Sequence, residues 1–163
     1  MTEPLLYWED FPVGDAMEMG SHTFTEAEII AFARQFDPQP FHIDPEAAKN
    51  SFFKGLIASG WHTCSIAMRL MVDKYVARSA SLGSPGLDNI RWVAPVRAGD
   101  TISYRRTTTA ARPSESKPGI GLVHSRWEAT NQRGETVMTM EGWGMFRRRP
   151  GLPPGLRPSR RAG

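Results

Sequence analysis

One apolar stretch, Ile57–Arg78 (IASGWHTCSIAMRLMVDKYVAR), limits what this chain can fold into more than any other feature. It is long enough for about six helical turns. Up to Val72 it is apolar on most sides, the pattern of a helix covered by other elements rather than lying on a surface. Such a helix needs a partner that surrounds it, and the rest of the chain supplies one. After the punctuation SASLGSPG come LDNIRWVAPV, DTISYRRTTTAARP, GIGLVHSRWEATN and GETVMTMEGWGMFRRR, separated by turn signals at 97–100, 113–119 and 131–134. Alternation in VHSRWEA and VMTMEGWGMF predicts half-buried antiparallel strands. A further short strand is expected near Asp15–Phe24. Helices followed by a run of strands indicate an α+β domain with a helix on one face of an antiparallel sheet. At 163 residues the chain suits one such domain.

The segment before the long helix carries the chemistry. In SHTFTEAEIIAFARQF, Thr25 is a helix N-cap, Glu28 its capping-box partner, and Phe24 with Ile29 a hydrophobic staple. Asp37 precedes a proline, which pushes it out of the α region and ends this helix near Phe36. In RQFDPQPFHIDPEA, starting at Arg34, Asp37, His42 and Asp44 fall within eight residues, with Pro38 and Pro40 between the first two. That spacing has two readings: a rigid loop aiming Asp37 and His42 at one small volume, or a proline-broken turn facing water. Asp44 followed by Pro45 is the N-cap of a second short helix, a structural task that sets it apart from the other two. His62 reads as a packed or hydrogen-bonded residue of the long helix, and His22 and His124 as sheet-surface residues.

Charge and cysteine usage exclude several classes. The sequence pI of about 9.3 comes from the C-terminal end. RRRPGLPPGLRPSRRAG holds six arginines and no acid, and residues 1–146 carry 14 basic and 17 acidic residues, formally −3. Residues 1–149 therefore form the domain, and 150–163 a disordered Pro/Arg-rich tail. A nucleic-acid partner is not expected. The single cysteine, Cys64, permits neither an intramolecular disulfide nor a cysteine metal cluster. The N-terminus carries acids where a signal peptide is basic, and no apolar run reaches membrane-spanning length. A cytoplasmic protein with no membrane association is the expectation.

FTEAEIIAFARQFDPQPFHIDPEAAKNSFFKGLIASGWHT resembles the signature segment of the MaoC-like dehydratases, the (R)-specific enoyl-CoA hydratases. The family pattern is a T-E-x-(D/E)-I helix, then D-x-N-P-x-H-x-D, an Ala-rich helix, and I-A-H-G-M at the start of the central helix. IRWVAPVRAGDTI is similar to the family's strand and turn after that helix. The resemblance is dense over about forty residues and looser across 7–146. Here Gln39 replaces the usual Asn, Phe36 a Gly, Ser59 a His and Trp61 a Met. These departures bear on the substrate rather than on the chemistry.

The resemblance implies a hot-dog fold, a single antiparallel sheet wrapped around a long central helix. It also implies a hydratase/dehydratase acting on a 2-enoyl or 3-hydroxyacyl thioester of coenzyme A or acyl carrier protein. Asp37 and His42 fall on the family's catalytic acid and histidine, and Gly60 on the glycine whose amide serves the thioester carbonyl. Phe41, Ser59 and Trp61 are substrate-binding candidates, and Lys54, Arg91 and Arg97 are candidate cations for the carrier's phosphates. Phe41, Phe52, Phe53 and Trp61 suggest a pocket for short or branched acyl groups. No metal or other cofactor is implied, and at least a homodimer is expected because a single sheet of this kind leaves its edges open. Two other classes stay open: a hot-dog thioesterase, and a non-catalytic acyl-CoA-binding subunit. A His42/Asp44/His62 iron site is disfavoured, because Asp44 is accounted for as an N-cap.

Overall fold

The computed structural model describes residues 5–153. Of the tail assigned from 150 onward, all but 150–153 lies outside the described residues. Strand β1 (Ala16–Thr23) leads into three helices, α1 (Glu26–Phe36), α2 (Pro40–Ile43) and α3 (Pro45–Lys49). Then come the central helix α4 (Gly60–Lys74) and strands β2 (Gly86–Trp92), β3 (Thr101–Pro113), β4 (Ile120–Thr130) and β5 (Thr136–Arg147). All five strands form one antiparallel sheet in the order β1-β3-β4-β5-β2, the expected α+β hot-dog arrangement with one central helix. Register shifts that leave an extra residue in β1, β2, β3 and β5 mark bulges, the local bends that let a sheet curve around a helix.

Strict alternation decides which side of the sheet meets α4. Ile102, Tyr104, Arg106 and Thr108 of β3 are buried, as are Val123, Ser125, Trp127 and Ala129 of β4. They face the helix residues His62, Thr63, Ala67 and Met71, which are buried in turn. The Tyr104 hydroxyl donates to the Thr63 carbonyl at 3.1 Å, so the helix is also hydrogen-bonded to the sheet. At the N-terminal side, Trp8 lies against Gly121, where an added Cβ would stand 2.1 Å from the indole. Only glycine admits that approach.

Two expectations about helices change. The helix predicted over 57–78 runs only from Gly60 to Lys74, with a 3-10 turn at Val76–Arg78. Its first residues are extended instead, because Ile57 and Ala58 donate their amides to Phe41 and Val96 rather than along a helix. At the other end Tyr75, at φ −149°, breaks the helical path. Nor is α4 covered all round: Trp61 is 55% exposed and Met68 47%. The segment between Pro38 and His42 is no loop either, since Pro40 opens the single turn of α2 with Gln39 as its N-cap.

Helix α1 starts at Thr25, whose Oγ1 accepts from the Glu28 amide at 3.2 Å. The Glu28 carboxylate does not complete the box, because it turns toward two histidines. His22 of β1 contacts its Oε1 directly, and the His62 Nε2 lies 3.7 Å from the same oxygen. His62 also stacks on Phe32 at 4.6 Å and meets Phe24 edge-on. His22 is thus half-buried against the helix layer rather than simply on a surface. His124 is engaged too: its Nε2 faces the Asp88 carboxylate at 2.8 Å and its Nδ1 the Thr109 hydroxyl at 2.6 Å.

Burial holds the His62 pKa below its ordinary value, with Glu28 acting against the shift and His22 adding to it. The unfolded chain therefore binds a proton at His62 more readily than the folded one, so folding stability falls as pH drops below the ordinary histidine pKa of about 6.5. Thermal unfolding of the wild type should lose midpoint temperature between about pH 7.5 and about pH 5, and His62→Phe should lose less. Equal losses in the two proteins would show that His62 does not carry this linkage.

Candidate active site

The short extended stretch before α4 positions everything in the site. Ile57 donates to the Phe41 carbonyl at 3.1 Å, which ties the stretch to α2, and Ala58 donates to Val96 at 2.8 Å, which ties it to the segment after β2. The Ile57 carbonyl then accepts from His42 Nδ1 at 2.7 Å. A carbonyl only accepts, so Nδ1 carries the proton and Nε2 is the atom presented to the site. His42 itself is buried.

Nε2 faces Asp37 Oδ2 at 3.2 Å. Asp37 closes α1 at φ −154°, outside the helical region, as expected of a residue before proline. Two side chains hold its carboxylate. Gln39 Nε2 donates to Oδ1 at 2.7 Å and Ser59 Oγ to Oδ2 at 2.7 Å. Burial raises the Asp37 pKa, but the hydrogen bonds from Gln39 and Ser59, with the imidazole of His42 alongside, outweigh it and hold the carboxyl below its ordinary value. Asp37 therefore stands as a carboxylate between two donors and an imidazole.

Ser59 is the N-cap of α4, accepting from the Trp61 amide at 3.3 Å, and it is fully buried. Its hydroxyl donates to Asp37, and Ser59, expected as a substrate contact, is not among the residues that line the cleft. Gly60 opens α4, where helix geometry leaves an amide without an intrahelical acceptor and places the positive end of the dipole. The side-chain space of Gly60 is already taken: an added Cβ would lie 2.3 Å from Cε2 of Trp92. The missing side chain thus makes room for the indole of β2.

His42 and Gly60 line one cleft of ≈ 460 Å³, together with Phe41, Phe53, Trp92 and Arg97. Asp37 and Ser59 do not line the cleft; Asp37 stands behind His42, which does. Phe41 packs edge-on to His42 at 4.6 Å, and Phe52, which is 92% exposed, stands at the rim. Trp61 does not line the cleft; it turns outward and meets Trp92 edge-on at 5.3 Å. Lys54 and Arg91 do not line it either. Lys54 is exposed in a tight loop at φ 57°, and Arg91 sits on the edge strand β2. Arg97 is the cation of the cleft, held by donation from Nη2 to the Phe53 carbonyl at 2.7 Å. The part played by Trp92 left no trace in local sequence pattern, since only the pairing of β2 with β5 brings it over α4.

Asp44 caps α3 by accepting from the Glu46 and Ala47 amides, and His62 faces Glu28, so neither joins His42. Among the described residues no group of three acidic, histidine or cysteine side chains forms a metal-holding set.

These features define a hot-dog protein with an acid and a histidine set against the first turn of its central helix. The chain belongs to the MaoC-like domain family, whose model matches residues 11–125. It is similar to the crystal structure of a MaoC-like dehydratase from Rhodospirillum rubrum, at 41% identity and a TM-score of 0.81, covering 89% of this chain and 99% of that one. It is 28% identical to an (R)-specific enoyl-CoA hydratase of Rhodospirillum rubrum over 68% of this chain and 75% of that protein. At 18% identity and a TM-score of 0.78 it shares the fold of a Mycobacterium tuberculosis protein with a double hot-dog fold, over 95% of this chain and 48% of that one.

The contact between Trp92 and Gly60 is open to a direct test. Gly60→Ala should lower stability by about 1–3 kcal/mol, the usual cost of overpacking. Adding Trp92→Ala should recover most of that loss. Denaturant midpoints of the two variants against Trp92→Ala alone would check this, and an unaffected Gly60→Ala would remove the close packing.

Proposed function

We propose that the protein is a hydratase/dehydratase that adds or removes water at a 2-enoyl or 3-hydroxyacyl thioester carried by coenzyme A or acyl carrier protein. The observation that carries this reading is the facing pair, Asp37 Oδ2 and His42 Nε2 at 3.2 Å, beside the first amide of α4. With Nδ1 holding its proton toward Ile57, the unprotonated pair presents two acceptors to one small volume. A water donating one hydrogen to each is oriented there for attack. Its oxygen adds to the β-carbon of the enoyl thioester, its proton passes to the pair, and a proton from the pair completes the α-carbon. The negative charge that builds on the thioester oxygen in between is met by the Gly60 amide and the positive end of the α4 dipole. Removal of water runs the same steps backward: the unprotonated pair takes the α-proton and then returns a proton to the departing hydroxyl.

Arg97 at the cleft supplies positive charge for the carrier's phosphates, in place of Lys54 and Arg91. No helix among the described residues is long and apolar enough to cross a membrane. We read the protein as cytoplasmic on the composition argued above.

Asp37→Asn and His42→Ala should each lower turnover of crotonyl-CoA by about 10²-fold or more while leaving the unfolding midpoint near that of the wild type. Loss of the enoyl-thioester absorbance measures the reaction. Unchanged turnover in either folded variant would end this mechanism, and release of free thiol without hydration would favour a thioesterase instead.

The protein is also read as a homodimer. Strand β2 is an edge strand whose residues are nearly all exposed, including Leu87 at 46%, and Trp92, Val93, Trp61 and Met68 add exposed apolar surface around it. An edge of this kind is stable in water when another strand covers it. Light scattering of the purified chain should give twice the 18.2 kDa monomer mass or a multiple of it. A monomer at micromolar concentration would refute the pairing.

A further inference from the structure

The mouth of the cleft presents a ring that the chain itself leaves uncovered. Phe52 is 92% exposed, more than any other large hydrophobic residue among those described. A lone apolar side chain on a loose surface loop needs no explanation. This loop is not loose. Ser51 Oγ donates to the Ala48 carbonyl at 2.6 Å and accepts from the Phe53 amide at 3.2 Å. The Ser51 carbonyl accepts from the Lys54 amide at 3.1 Å, and the Phe53 carbonyl from Arg97 Nη2 at 2.7 Å. Among the described residues Lys54 alone, apart from glycines, has a positive φ, at 57°. Backbone of this kind is costly, persists where its surroundings fix it, and is common at ligand clamps. Bonds on both sides of Phe52 therefore hold its ring out at the rim.

From that ring a series of aromatic contacts runs inward to the site. Phe52 meets Phe53 at 5.4 Å, Phe53 meets Phe41 at 5.1 Å, and Phe41 meets His42 at 4.6 Å. Three ring-to-ring steps thus separate the exposed ring from the imidazole. A pantetheine arm reaches about as far as four extended residues, about 14 Å. A thioester whose carbonyl lies at Gly60 therefore brings the outer end of its arm to the level of Phe52. Arg97 lies under the same loop: a Cβ added to Gly55 would stand 3.1 Å from its Nη1. A cation and an open aromatic face are thus side by side where the arm emerges. Beyond the arm coenzyme A carries phosphates and then adenine, whereas an acyl carrier protein carries one phosphate and then a polypeptide.

We infer that Phe52 is a platform on which the adenine of coenzyme A stacks, with Arg97 at the neighbouring phosphates, and that the carrier is coenzyme A rather than acyl carrier protein. A purine matches the platform because its π-face stacks on an aromatic side chain without a matching set of hydrogen bonds. The fixed loop adds to the affinity, since little freedom is left to lose when the ring is covered. The inference rests on the thioester reading above, because it is the carbonyl at Gly60 that sets where the arm emerges.

Two saturated thioesters test it without turnover. Butyryl-CoA and S-butyryl-4′-phosphopantetheine share the acyl group, the arm and the first phosphate, and only the former carries adenine. Each would be titrated calorimetrically into the full-length protein, the weaker one by displacement of the stronger. The wild type should bind butyryl-CoA about tenfold tighter or more, the scale of one stacked base. Phe52→Ala should bring the two affinities within about threefold of each other. Equal binding by the wild type would overturn the platform while leaving the thioester reading intact. A full preference in Phe52→Ala would overturn it as well, as would tighter binding of butyryl-acyl carrier protein than of butyryl-CoA. Phe52→Ala should also keep the light-scattering mass of the wild type; a smaller species would assign the ring to a subunit contact and overturn the platform. Failure of all the thioesters to bind would instead overturn the thioester reading, and this inference with it.

Discussion

The site depends on two backbone hydrogen bonds, from Ile57 to Phe41 and from Ala58 to Val96. They hold three residues extended where the apolar pattern alone would have continued a helix. Because Ile57 is extended, its carbonyl is free to accept from His42. Because Ala58 is extended, Ser59 becomes an N-cap and Gly60 the first residue of α4. Had the helix begun at Ile57, those groups would have been spent inside it, and the histidine would have lost the bond that selects its tautomer. One local choice of backbone path therefore sets the proton on His42, the hydroxyl on Asp37 and the open end of the helix dipole.

Around that frame the pair is overdetermined, as a preorganised site must be. Asp37 is held by Gln39 from its own turn and by Ser59 from the next element, so its carboxylate is fixed from two directions. Gln39 and Ser59 are both positions where the chain departs from the usual residues of its family, and both turn out to touch the same carboxylate. Two of the four departures thus support the acid, while the acid and the histidine are unchanged.

The sheet contributes through its edge. Trp92, from the last residue of β2, fills the space that Gly60 leaves and meets Trp61 beside it. The same edge strand is nearly all exposed, which links the packing over the helix N-terminus to the surface on which a second copy is expected. At the opposite side of the sheet order, β1 brings His22 to Glu28, and Glu28 brings His62, so the first turn of α4 is tied to α1 by charge as well as by stacking. The helix start is thereby clamped from both margins of the sheet.

What the amino-acid order determined by itself was whatever depends on short range. Period-two alternation marked β4 and β5, Thr25 and Asp44 announced their helices by capping, and Pro38 ended α1 at Asp37, because each of these signals acts within about five residues. The Asp37/His42 spacing was visible for the same reason. The tertiary structure alone decided where α4 begins, since that rests on acceptors at Phe41 and Val96, far apart in the chain. It alone made Ser59 a partner of Asp37, placed Trp92 on Gly60, and set Lys54 and Arg91 away from the cleft while Arg97 lines it. It also stood Arg106 beside Trp127, a neighbourhood created by strand register between residues 21 positions apart. Hydrogen bonds and ring contacts between distant segments leave no periodicity in a sequence, so only the folded chain discloses them.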